Sequence, residues 1–298
     1  MLFLPILAGA LWGSVGIYVR KLYSYNMDDY TVLSSRVLVA AVLLFFVILI
    51  YNKSLLKIKL KDLWVFIASG LFGMMGVTYF YNKAVGYLTL SFVAVLISLS
   101  PIFVVILGAI LFREKVTVRK ISCMFLAIFG CVLTSGILEN TAGMKWSPFG
   151  ITMGIFGAMF YALYSVFSKI ATEKGYHVFT ITFYSVLISA IIILPLTNWT
   201  SLADFVTEAP IENAIFMILH AVSSSILPYV LYNIALIYVE AGKVSILAAG
   251  GEPIAAMIFG VIFFLEIPTV LSMLGVAVTI TALYLLCRPE KKNIKVIK

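Results

Sequence analysis

The chain has 298 residues, of which 63% are hydrophobic and only 11% charged, with a mean hydropathy of +1.11. A soluble domain carries about 45–50% apolar and about 25% charged residues, so this composition excludes an ordinary water-soluble fold and makes lipid the solvent for most of the surface. The net charge of +8 sits in short gaps between apolar runs, which argues against nucleic acid as a partner and reads as a topology signal toward anionic lipid.

A membrane-crossing helix needs about 20 predominantly apolar residues. Ten runs qualify: 2–19, 30–50, 63–82, 88–112, 118–136, 148–168, 177–197, 211–234, 242–265 and 268–287. In span 1, Ala8-Gly9-Ala10 resembles a signal-peptidase site. No basic residue precedes it and the run continues to Tyr18, so a first transmembrane helix is expected. The longest gaps, 137–147 and 198–210, leave no room for a soluble domain.

Several positions stand out along these spans. Arg36 lies about two turns into span 2, where it is expected to snorkel to the headgroups and pair with Asp28 or Asp29. Span 3 carries the small-residue stripe Gly70, Gly73 and Gly76, and span 6 carries Gly150, Gly154 and Gly157, both suited to close packing. Span 4 holds Ser98, Ser100 and Pro101 and ends at Glu114, which is expected to pair with the adjacent Arg113 and Lys115 or to cap a loop. Span 8 holds His220 and Ser224 on one face, ahead of Pro228, as a polar cavity wall or a helix–helix hydrogen bond. Span 9 reads Gly250-Gly251-Glu252-Pro253 and ends at Glu266, the counterpart of Glu114. The cysteines Cys123, Cys131 and Cys287 lie in apolar runs without metal-ligand spacing and read as small buried hydrophobes. No metal site or cofactor is expected.

Three collinear self-matches organise these features. Residues 9–21 match 157–169 at an offset of 148, 81–88 match 232–239 at 151, and 100–114 match 252–266 at 152. The chain is therefore expected to be two five-span halves, 1–140 and 141–298, the second with a short basic tail. An odd span number inserts the second half upside down, related to the first by a pseudo-two-fold axis in the membrane plane. With the N-terminus in the cytoplasm, sixteen basic residues fall on that side and four on the other. The bias predicts that both termini are cytoplasmic.

The matched segments also carry a likeness. Trp12-Gly13 in span 1, Arg36 in span 2, the run from Pro101 to Glu114 in span 4, and Gly251-Glu252-Pro253 through Glu266 in span 9 resemble the drug/metabolite transporter superfamily, specifically its EamA-type ten-helix members. The resemblance covers nearly the whole chain and implies a plasma-membrane permease moving small metabolites. It implies a central cavity lined by spans 1, 3, 4, 6, 8 and 9, with spans 5 and 10 serving packing or homodimer contacts. The second half departs from the pattern, carrying Phe160-Tyr161 where the first has Trp12-Gly13.

A proline inside a helix frees the carbonyl four residues back. Paired interruptions near mid-membrane are the best sequence pointer to a transporter site, so Pro101 and Pro253 are expected to kink their spans beside the cavity, aided by Ser98, Ser100, Gly250 and Gly251. Glu252 is the one carboxylate near the middle of a span, where ionisation costs about 2.5–3.5 kcal/mol on insertion scales. It is expected to oppose a cationic or amino-bearing substrate, to carry a coupling proton, or to make a structural hydrogen bond. Trp12, Tyr79, Tyr161 and Tyr164 are candidates to stack on substrate or contact a cation. Tyr81 and Tyr232, which recur in the two halves, suit packing or gating. The function expected is secondary-active or facilitative export of amino acids or related metabolites by alternating access. The alternatives are uptake or exchange of a cationic amine, and, in another class, an intramembrane lipid-modifying enzyme, which would need clustered catalytic groups that the sequence does not supply.

Overall fold

The computed structural model describes residues 1–88, 90–139, 147–265 and 267–288. Glu266, the boundary expected at 140/141 and the basic tail lie outside the described residues. Among the described residues the chain is all helical, and nine segments are long and apolar enough to cross a membrane. The tenth, span 5 at Val118–Thr134, has 17 residues and reaches about 25 Å at 1.5 Å per residue. "Near face" below means the side on which span 1 begins, and "far face" the side on which it ends.

Breaks in the spans have local causes. Span 1 is Phe3–Gly13 and Val15–Ser24, joined at Ser14, whose hydroxyl turns back to donate to the Leu11 carbonyl at 2.6 Å. Span 4 is Leu90–Ile97 and Ser100–Phe112, with Pro101 in the first turn of the second piece, where its missing N–H costs nothing. Span 9 runs unbroken from Ala241 to Phe264 with Pro253 inside it. The carbonyl that Pro253 frees is that of Ala249, and the Cys131 thiol of span 5 lies on it at 3.9 Å. The two prolines, expected to act alike, do not: one sits at a helix break and the other is absorbed by a neighbour.

Spans 3 and 8 both contain a π-helical stretch, at Ser69–Gly76 and Val222–Ile226. These occupy matching places in the two halves. Such stretches often mark functional positions. Spans 4 and 9 end alike as well, on left-handed residues at Arg113 (φ 55°) and Leu265 (φ 53°), with the amide of each on a glycine carbonyl, Gly108 and Gly260. The gap expected over 198–210 contains a further helix, Trp199–Glu208, which buries Leu202 and Phe205 against Leu22, Met27 and Val32. Spans 5 and 10 pack along each other and join through Arg119 Nε, which donates to the Leu285 carbonyl at 2.8 Å.

Span 1 packs along spans 8 and 9, and span 6 along spans 3 and 4. A Cβ on Gly9 would collide with the Ala248 carbonyl, one on Gly13 would lie against the backbone of Glu252 and Ala256, and one on Gly251 would meet the Ile6 carbonyl. Backbone therefore lies on backbone where span 1 crosses span 9.

Candidate functional site

That crossing sets Trp12 among rings from the other half. Its indole lies 6.0 Å from the ring of Tyr161, 5.2 Å from Tyr229 and 5.7 Å from Tyr232, and Tyr164 lies 4.8 Å from Tyr229. Trp12 and Tyr229 meet edge to face at 75°, an arrangement the ring quadrupole favours. Glu252 sits beside this cluster. Its side chain is exposed by solvent accessibility. Its charge reaches Tyr81, Tyr161 and Tyr229. Tyr229, absent from the sequence-derived candidates, is also within electrostatic reach of Arg36. Its signal was the four-residue step from Ser225 across Pro228 on one helix face.

The structure thus brings together Glu252, Trp12, Tyr161 and Tyr164, with Tyr81 and Tyr232 on the flanks. It sets the other candidates elsewhere. Tyr79 is exposed, with Lys83 over its ring at 5.8 Å. Ser98 donates to the Val95 carbonyl at 2.7 Å, and Ser100 is buried at the span 4 break. Gly250 faces Leu283 of span 10 and Gly251 faces span 1, so both admit close neighbours and neither breaks the helix. Pro228 is buried in the turn that follows the π stretch of span 8. His220 is fully buried with its ring stacked on Tyr18 at 4.7 Å, while the Ser224 hydroxyl turns to the His220 carbonyl at 2.5 Å.

One expectation is corrected, and a second residue takes different partners. Arg36 pairs with neither aspartate. Asp28 caps span 2, accepting from the Tyr30 and Thr31 amides at 2.9 Å each, and Asp29 accepts from the Tyr23 hydroxyl. Arg36 instead lies within electrostatic reach of Tyr229 and His220. Glu114 is not neutralised by its sequence neighbours. Its carboxylate lies over Gly108 and accepts from the Ala241 and Gly242 amides at 2.5 and 3.1 Å, capping span 9, with Lys120 at 3.7 Å. Four orphan amides and a positive dipole end make a helix N-terminus a favourable seat for a carboxylate. Lys120 also meets Glu240 at 2.5 Å.

The near face is sealed by contacts of spans 6, 7 and 8. Tyr232 and Ser165 share a hydroxyl hydrogen bond at 2.5 Å. Asn233 donates to the Tyr164 hydroxyl and to Thr182, each at 3.1 Å, and Lys169 Nζ donates to the Leu236 carbonyl at 2.7 Å. Below the seal a cavity of about 300 Å³ opens on the near face, lined by Glu114, Lys169, Glu173 and Glu240 among others. The corresponding residues toward the far face are Gly16, Ile17 and Lys21 on span 1 and Tyr81, Asn82 and Val85 on span 3. Gly16 has open space where Tyr164 has a ring, and Ile17 offers no hydroxyl to Tyr81. The Asn82 amide nitrogen has no hydrogen-bond partner among the described residues, and Lys21 stands over the ring of Phe216 at 4.6 Å. Among the described residues the near-face contacts of Ser165, Tyr232, Asn233 and Lys169 are not repeated by their counterparts toward the far face.

A search of known proteins agrees with this architecture. The EamA-like transporter family model matches residues 1–136 and again 148–288. The chain is similar to an uncharacterized transporter of Archaeoglobus fulgidus, 31% identical over 184 residues, 62% of each chain. It is also similar to the uncharacterized transporter YxxF of Bacillus subtilis, 26% identical over 201 residues, 66% of this chain and 61% of that one. The chain thus spans less than two thirds of the length of these relatives. A solved crystal structure shares the fold with a TM-score of 0.74 at 14% identity, covering 96% of this chain and 95% of that one. Two family matches, one to each half of an all-helical membrane fold, place the chain in the EamA-like transporter family.

Proposed function

We propose that the protein is a transporter of small amphoteric metabolites, amino acids or close relatives, working by alternating access between its two inverted halves. The observation that carries this reading is Glu252, an accessible carboxylate held among Trp12, Tyr161 and Tyr229 where the halves meet. A carboxylate pairs with an ammonium group, and rings beside it add about 0.5–2 kcal/mol of cation–π attraction. The basic bias makes the near face cytoplasmic, and the contacts that close that face in this state suit release of substrate toward the far one. The chain's setting is the plasma membrane.

A second reading is uptake or exchange of a cationic amine, which the same carboxylate and rings favour. Proton coupling through Glu252 belongs with either. The test is flux into proteoliposomes holding only this protein, across amino acids and amines. Substrate-dependent flux is expected, with Glu252→Gln losing either its pH dependence or its affinity for amino-bearing substrates. Folded protein with no flux over the whole panel counts against transport. Unchanged transport and pH dependence in Glu252→Gln removes this residue from the mechanism.

A further inference from the structure

The inverted repeat pairs span 2 with span 7 and span 3 with span 8. Asp28 and His177 cap spans 2 and 7 in the same way, 149 residues apart, so Arg36 corresponds to Ser185. At the span 3/8 offset of 151, His220 corresponds to Ser69. In one half these positions meet and satisfy each other, with Ser69 and Ser185 sharing a buried hydrogen bond at 2.7 Å. Ser189 beside them donates to the Gly70 carbonyl at 3.2 Å.

In the other half the same crossing carries Arg36 and His220, and nothing satisfies them. Both ring nitrogens of His220, which is 0% exposed, lack a partner among the described residues, as does the buried Ser225 hydroxyl. Arg36 has neither an ion pair nor a hydrogen bond among the described residues, although it lies within electrostatic reach of His220 and Tyr229. Span 2 packs here on the helix bearing His220 and on the π stretch Val222–Ile226. Arg36 is half-buried beside a fully buried histidine, and native proteins rarely leave buried donors such as those of His220 and Ser225 orphaned. A duplicated contact that was self-sufficient has been converted into one that needs a third participant.

We infer that Arg36, His220, Ser225 and Tyr229 form a binding subsite for an anionic group of the substrate, reached from the same interior as Glu252. The guanidinium presents a planar fork that matches two oxygens of one carboxylate or phosphoryl group, and hydroxyl and imidazole donors serve the remaining lone pairs. One permanent cation suits one negative charge, so a carboxylate is the better fit. Tyr229 is within electrostatic reach of both Arg36 and Glu252, which puts an anion subsite and a cation subsite next to one ring. This deepens the transport reading and rests on it for the identity of the ligand as cargo.

The test is equilibrium dialysis of the purified full chain in nanodiscs with radiolabelled phenylacetate, phenylacetamide and phenyl phosphate. Phenylacetate is expected to bind at least about tenfold more tightly than its amide, equivalent to 1.4 kcal/mol. Arg36→Gln should erase that preference, and Arg36→Lys should keep part of it. Tighter binding of phenyl phosphate than of phenylacetate would assign the subsite to a phosphoryl group. Equal binding of acid and amide by the wild-type protein overturns the inference, as does an acid preference that survives in folded Arg36→Gln. The wild-type comparison decides the matter even if Arg36→Gln fails to fold. Binding is read without flux, so an acid preference with no transport would sink the transport reading and leave this one standing.

Discussion

Lys169 Nζ donates to the Leu236 carbonyl at 2.7 Å, while its counterpart in the first half, Lys21, stands over the ring of Phe216 and leaves Val85 unbridged. Two lysines at equivalent positions thus do different things in one structure. An inverted repeat of this kind contains the second state of the cycle in the geometry of its other half. In the state closed toward the far face, Lys21 should swing from Phe216 to the Val85 carbonyl.

The near-face seal should therefore weaken when Lys169 is changed. A hydrogen bond to a charged group contributes about 1.5–3 kcal/mol, so Lys169→Met should raise near-face opening roughly tenfold or more. A cysteine at the fully buried Ser168, in a background lacking the three native cysteines, reports this by its rate of thiol labelling from the near face. An unchanged rate would show that Lys169 does not hold the seal.

The two states should also be trapped separately by cross-linking. Ser165→Cys with Tyr232→Cys, replacing the pair whose hydroxyls now meet at 2.5 Å, should be bridged by a bifunctional methanethiosulfonate about as long as a tyrosine side chain, stopping flux until reductant is added. Ile17→Cys with Tyr81→Cys should cross-link slowly in the wild-type sequence and faster in the Lys169→Met background. Equal rates for the second pair in both backgrounds would break the link between the two faces.

Substitutions at Gly9 and Gly16, seven residues apart on span 1, should have opposite signs. Gly9→Ala drives a methyl into the Ala248 carbonyl and should cost about 1–3 kcal/mol, as overpacking does. Gly16 has nothing within 4 Å, so Gly16→Ala should stabilise its helix by up to about 1 kcal/mol. Thermal unfolding of the two variants in detergent measures the difference. Comparable losses at both sites would refute the backbone contact.

The paired prolines should separate in the same manner. Pro253→Ala restores a hydrogen bond within an already continuous helix and should leave flux within about threefold, since one such bond nets about 0.5–1.5 kcal/mol. Pro101→Ala removes the residue that starts the second piece of span 4 and should reduce flux by about tenfold through fusion of the two pieces. Initial flux rates normalised to folded protein give the comparison.

Much of this was readable from residues alone. Apolar runs bounded by charged gaps located the spans, because lipid enforces that pattern with few exceptions. The offsets of 148 to 152 pointed to an internal duplication, and the family model matches twice, over residues 1–136 and 148–288. Glu252 stood out as a lone mid-span carboxylate, and the structure sets it beside Trp12, Tyr161 and Tyr229. What sequence could not reveal were partners distant in the chain. Arg36 was near two aspartates in sequence, but both are consumed by a helix cap and a tyrosine. Glu114 was flanked by Arg113 and Lys115, but it pairs with Lys120 and with amides more than a hundred residues away. Trp199–Glu208 was passed over because a search for long apolar runs is blind to a short amphipathic helix, although Leu202, Phe205 and Val206 carry its period. Pro101 and Pro253 looked alike because the thiol that quiets one of them belongs to another span.

The crossing of span 1 over span 9 has a consequence for ancestry. Each half lends its first helix to the other: span 1 lies on spans 8 and 9, and span 6 lies on spans 3 and 4. A lone five-helix unit would then carry an empty groove and a stray arm. Before duplication such a unit could complete itself only by trading arms with a second copy inserted in the opposite sense. The single modern chain is that antiparallel pair tied end to end, and its separately expressed halves should be stable only in each other's company.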